Sequence, residues 1–201
     1  AESAQIDRIV ASSLASTGVP SASVAIVRGG EIVFAKAYGK QSETRPVASA
    51  DLPYQIASVS KQFTAAAIML LVMDGKLSLD DDVRDYIPEV PDYGTTVTLR
   101  HMMTHTSGLR DWGSVAQISG WGRGERSHDH ADVLDIVSRQ SALNFEPGHE
   151  YSYSNTGYNL LAIIVGRVSG MSFAEFSSKR IFEPLGLEHT QWHSLKFHSF
   201  A

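Results

Sequence analysis

The chain has 201 residues, enough for one domain or two small lobes sharing a core. With 43% hydrophobic and 19% charged residues it has the composition of an ordinary soluble globular protein. The net charge of −5 argues against the basic face that a nucleic-acid footprint needs, and the absence of cysteine excludes disulfides, thiolate metal sites and a cysteine nucleophile.

The chain opens "AESAQIDRIV", with neither a starting Met nor a charged-then-apolar leader. Either a signal peptide has been removed or the start is an arbitrary one. Ile6, Ile9, Val10 and Leu14 recur at helical spacing and predict a covering helix. Two nearly continuous apolar stretches follow, "SASVAIVR" and "EIVFAKAYG", separated by Gly29-Gly30, a pair suited to the positive φ angles of a tight hairpin. Both faces of these strands are apolar, which predicts a sheet covered on both sides.

From residue 50 the periodicity turns helical. Phe63, Ala67, Leu70 and Leu71 share a face, yet the opposite face is also apolar, so this helix is expected to be buried, with Gly75 as its stop. Its longest apolar run, "AAAIMLLVM", is too short to span a bilayer. "LSLDDDVRDYIPEVPDYG" reads as a polar connection, and Thr98 as the cap of a short helix through "LRHMMTH". "SGLRDWGSVAQISGWGRGERSHDH" is rich in loop residues, and its "HDH" at 128–130 is expected to be solvated. Val133, Leu134 and Val137 indicate another helix. "NTGYNLLAIIVGRVSG" is a buried helix entered from "PGHEYSYS", and "SFAEFSSKRIFEPLG" one more, stopped by Pro184. No internal repeat or clear linker is visible.

Two short patterns carry chemistry. Ser58 and Lys61 stand three residues apart at the start of the apolar helix, on neighbouring positions of one face. A serine hydroxyl is a weak nucleophile until something accepts its proton. A lysine can do so where apolar surroundings disfavour the ammonium form. The backbone N–H of a serine at a helix start is also free to serve as an oxyanion donor. S-x-x-K alone is weak, since a helix start with an exposed lysine looks the same. The second pattern is Tyr153-Ser154-Asn155, a Y-x-N triplet where a loop meets a helix. The tyrosine could relay a proton, with Tyr151 and Tyr158 as rivals, and Asn155 could present its amide to Lys61 and to a substrate carbonyl. An Asn or Ser N-cap with a packing tyrosine explains the triplet equally well when it stands alone.

Together, "SVSKQFTAAAIMLLVMDGKLSLDDDVRDYIPEV", "LRHMMTHTSGL" and "FEPGHEYSYSNTGYNLLAIIVGRVSG" resemble the serine β-lactamase-related family, which includes class C β-lactamases, D-alanyl-D-alanine carboxypeptidases and esterases of the same fold. The resemblance runs from about the first strand to "FEPLGLEHTQWH". It implies an α/β fold of the α+β type, a helical lobe plus an incomplete antiparallel sheet. Residues 1–50 would supply the N-terminal helix and first two strands, and 51–190 the helical lobe with both motifs. Residues 191–201 would form an atypical tail, with the remaining strands missing. By the same resemblance Ser58 would be acylated by an ester, β-lactam or D-amino-acid peptide. Lys61 would be its proton partner, Tyr153 the second acid/base and Asn155 an orienting, substrate-binding amide. "HTSGL" is taken as structural. No cofactor or metal is implied, and the location would be periplasmic or secreted.

The family also carries K-T-G, or a variant such as H-x-G, well after Y-x-N. None of the six lysines here is followed by Thr-Gly or Ser-Gly, and no histidine begins H-x-G. The expectation is a truncated, frameshifted or processed product with impaired hydrolysis, its sheet completed by a second chain or by homo-oligomerisation. The alternative is a non-catalytic, penicillin-binding-like or scaffold protein. His101 and His105 have the i,i+4 spacing of a helical metal pair, without the glutamate of H-E-x-x-H, and fit a packed or surface helix better. "GWGRG" follows no βαβ strand, and no G-x-S-x-G elbow is present, so dinucleotide-binding and α/β-hydrolase functions are disfavoured.

Overall fold

A computed structural model describes residues 2–44, 47–51, 53–122 and 127–192. The tail expected to be atypical, 191–201, lies outside the described residues from 193 onward, and "GWGRG" does so in part. The chain divides into two units, one ending at Gln55 and the other starting at Ile56.

In the first unit, helix α1 (Glu2–Thr17) precedes strands β1 (Ser21–Arg28) and β2 (Glu31–Gly39). The strands pair antiparallel, from Ser21↔Gly39 to Arg28↔Glu31, with an irregularity between Ile26 and Val27. Gly29 and Gly30 turn the hairpin with φ of 61° and 86°, values open to glycine at little cost. Ile6, Val10 and Leu14 of α1 are half-buried, whereas Ile9 is exposed. Asp7 ties α1 to β2 by accepting hydrogen bonds from Lys36 Nζ (2.8 Å) and Tyr38 OH (2.7 Å). Among the described residues of this unit, the two faces of the sheet are not equally covered. Val24, Ile26 and Phe34 are half-buried on one face, while Ala25, Val27, Ile32, Val33 and Ala35 are exposed. An apolar run on both faces of a strand records what could be covered, not what is.

The second unit is helical. A 3₁₀ turn, Ala57–Ser60, leads into α2 (Lys61–Met73), which packs on α6 (Asn155–Ser169). Around this pair lie α3 (Leu99–Met103), α4 (Trp112–Ile118), α5 (His130–Ser138) and α7 (Phe173–Ser177), the last continued by a π-helical turn, Ser178–Phe182. Ala67, Ile68 and Leu71 of α2 meet Leu160, Leu161, Ile164 and Val165 of α6 in one core with Leu99, Met102, Val133, Val137 and Phe176. Beyond Asp74, Gly75 adopts φ 67°, its N–H bonding Val72 O and that of Lys76 bonding Leu71 O, a Schellman ending. Thr98 caps α3 in a reciprocal box with His101.

Three expectations need correction. Helix α2 is not buried all round, because Met69 and Met73 are exposed. The loop-rich segment after Leu109 contains α4, whose N-cap is Asp111. "HDH" is solvated only in part and is not all loop: Asp129 and His130 are exposed, but the half-buried His128 ring packs on Trp112, Asp129 caps α5 and His130 is its first residue. Among the described residues no single helix is long and apolar enough to cross a membrane.

Candidate active site

The turn before α2 is locally unusual. Ala57 has φ 45°, uncommon for a residue with a Cβ, and Ser58 follows it on the surface. The 3₁₀ turn then passes into α2 at Lys61, so both side chains project from the same helix entrance. Lys61 is half-buried, and its Nζ donates to Ser58 Oγ at 3.1 Å and to Asn155 Oδ1 at 2.8 Å. Ser58 N–H makes no hydrogen bond within the described residues, leaving it able to serve as an oxyanion donor.

Tyr153 and Asn155 arrive from the other side. Ser154, the residue between them, is the N-cap of α6 and accepts from Thr156 N, so its extended backbone sends the flanking side chains toward α2. Tyr153 OH lies 2.7 Å from Ser58 Oγ and 3.5 Å from Asn155 Oδ1. Lys61 Nζ also sits 4.8 Å from the Tyr153 ring centroid and 5.5 Å from that of Tyr158. The Lys61 ammonium, then the Ser58 hydroxyl, hold the Tyr153 phenol below its usual range, against the opposing effect of burial. The rival tyrosines point elsewhere. Tyr158 donates to Met103 O at 3.0 Å and burial pushes its phenol up, while Tyr151 is exposed with its ring beside His105.

The structure thus brings together the four residues singled out by the sequence, Ser58, Lys61, Tyr153 and Asn155. The two ends of the Asn155 amide have different partners. The oxygen faces Lys61, and the NH₂ end donates to Asp111 Oδ2 at 3.0 Å.

Asp111 and His105 were not anticipated at this site. Asp111 Oδ2 also accepts from Asn155 N at 2.7 Å. His105 Nδ1 accepts from Ser154 N at 3.3 Å, and its ring lies 4.5 Å from that of Tyr153. Asp111 carries a local signal, a capping residue ahead of a short helix, but its tie to Asn155 spans 44 residues and leaves no trace in the sequence pattern. His101 and His105 do not form a metal pair on one helix face. α3 ends at Met103, His105 takes φ 58°, and the two Nδ1 atoms accept from Thr98 N and Ser154 N respectively. Among the described residues no group of three His, Cys, Asp or Glu is placed to hold a metal ion.

The Beta-lactamase family matches residues 6–199. Penicillin-binding protein 4* of Bacillus subtilis is 38% identical over 84% of this chain and 37% of its own length. Among solved structures, an octameric penicillin-binding protein homologue from Pyrococcus abyssi aligns with a TM-score of 0.84 and 33% identity, covering 94% of this chain and 44% of that one. The D-amino acid amidase of Ochrobactrum anthropi aligns with a TM-score of 0.72 and 29% identity, covering 86% and 46%. The chain spans less than half the length of each of these relatives.

Proposed function

Because the chain belongs to the Beta-lactamase family, we propose that it is a serine hydrolase that forms an acyl-enzyme on Ser58. One observation carries the proposal: Ser58 Oγ is held at once by Tyr153 OH (2.7 Å) and Lys61 Nζ (3.1 Å). In this scheme Ser58 Oγ bonds to the carbonyl carbon while its proton passes to Tyr153, whose phenolate form the Lys61 ammonium favours. The tetrahedral oxyanion takes a hydrogen bond from Ser58 N–H. Collapse expels the leaving group, which leaves with the proton held by Tyr153, and water then hydrolyses the Ser58 ester by the reverse proton path. Lys61, anchored on Asn155 Oδ1, keeps the three oxygens in register.

Esters, β-lactams and D-amino-acid amides or peptides all present the carbonyl this centre needs. The amidase among the structural relatives favours a D-amino-acid amide. The test is treatment with a fluorophosphonate and location of the adduct by peptide mass mapping. Labelling of Ser58, lost in Ser58→Ala, is expected; labelling of another residue in folded protein refutes the function. The likeness to penicillin-binding protein 4* favours a second reading, a penicillin-binding-like protein that is acylated but does not turn over. One equivalent of leaving group released from a chromogenic ester, without further release, would select it.

A further inference from the structure

We propose that Asp111 is a positioning residue that fixes which end of the Asn155 carboxamide meets Lys61, and through it where Lys61 Nζ stands relative to Ser58. The proposal rests on Ser58 being the nucleophile, and adds a member that neither motif contains. An ionised carboxylate can only accept hydrogen bonds. Its Oδ2 accepts from both nitrogens of Asn155, the backbone N at 2.7 Å and Nδ2 at 3.0 Å. The amide must therefore turn its NH₂ end to Asp111 and its oxygen to Lys61. Flipped by 180°, it would set oxygen against carboxylate and NH₂ against the Lys61 Nζ.

Asp111 is itself held. Its other oxygen, Oδ1, accepts from Ser114 N at 3.1 Å as the N-cap of α4. The backbone on either side is fastened to the first turn of α6 by the fully buried Thr156, whose Oγ1 donates to Arg110 O at 2.7 Å and accepts from Trp112 N at 2.8 Å. The carboxylate cannot swing away without breaking these bonds. A chain of fixed contacts thus runs from α4 through Asp111 and Asn155 to Lys61 and Ser58.

The experiment is a double-mutant cycle on Asp111→Asn and Asn155→Ala, read as the second-order rate of fluorophosphonate labelling at Ser58, with the side-chain amide NMR signals of Asn155 as a second readout. Asp111→Asn is nearly isosteric and keeps an oxygen for the α4 cap. Asp111→Ser, a good capping residue too short to serve both helices, is the second variant should the first fail to fold. Misplacement of a reacting group by about 1 Å lowers rates roughly 100-fold, and a loss of that order is expected in Asp111→Asn. In the Asn155→Ala background the same substitution should cost less than about 2-fold, since no carboxamide remains for Asp111 to orient. The Asn155 side-chain amide protons should exchange faster with solvent in Asp111→Asn than in the parent. An equal loss of labelling in both backgrounds, or unchanged amide exchange, overturns the proposal. If the parent protein is not labelled at Ser58, the hydrolase function fails, and the amide signals still decide the role of Asp111.

Discussion

His105 shows how one side chain's protonation state is bound up with the geometry of the site. Its Nδ1 accepts the Ser154 N–H, which only a ring unprotonated at that nitrogen can do, and its ring lies against those of Tyr151, Tyr153 and Tyr158. Burial first, and the Lys61 charge second, hold the imidazole below its ordinary value. A histidine with a lowered folded value binds more protons when unfolded, so its contribution to stability is present above the unfolded value of about 6.5 and is lost as pH falls below it. His101, also lowered chiefly by burial, adds a loss of the same sign. The melting temperature should therefore fall between pH 8 and pH 5, and by less in His105→Asn. Asparagine tolerates the φ of 58° at this position and offers an acceptor oxygen that does not titrate in this range. An identical pH slope in thermal melts of variant and parent would show that His105 is not responsible.

At the scale of elements, α6 is the organiser, and its glycines mark what it touches. A Cβ on Gly157 would lie 3.1 Å from Met102 Cβ and 3.2 Å from Met102 O, backbone of α3 in a contact with no slack. On Gly166 it would meet Met171 O at an ordinary 3.5 Å. Glycine to alanine inside a helix gains up to about 1 kcal/mol when nothing is in the way, whereas overpacking costs roughly 1–3 kcal/mol. Gly166→Ala should raise the melting temperature and Gly157→Ala lower it, checked by paired denaturant titrations. The helices with dense apolar periodicity, α2, α5 and α6, were legible in the sequence, as was the hairpin at Gly29-Gly30. Ser58, Lys61, Tyr153 and Asn155 were singled out by the family resemblance rather than by local pattern, and the structure brings their side chains together. Helix α4 was not legible, its seven residues being split by glycine and serine and too few to show a period. Asp111 and His105 were not either, because they act on backbone and side-chain groups more than forty residues away.

For the whole molecule, the two units differ in how well they bury what they carry. The unit from Ile56 onward holds the buried core and all four candidate site residues. The unit ending at Gln55 has a helix with no buried residue and a sheet of two strands, and such sheets are marginal alone. Its exposed residues include Val27, Ile32 and Val33, with Val27 and Ile32 directly paired across the hairpin. The outer edge of each strand also presents unpaired N–H and C=O groups among the described residues. An exposed apolar strand with an open edge is a template for pairing with another chain, and a lysine on such a strand blocks it. The 201-residue chain should therefore self-associate with rising concentration, and Ile32→Lys should return it to the monomer mass. Sedimentation over a hundredfold concentration range decides this. A constant monomer mass for the parent chain would mean that the hairpin's apolar surface is too small to drive association.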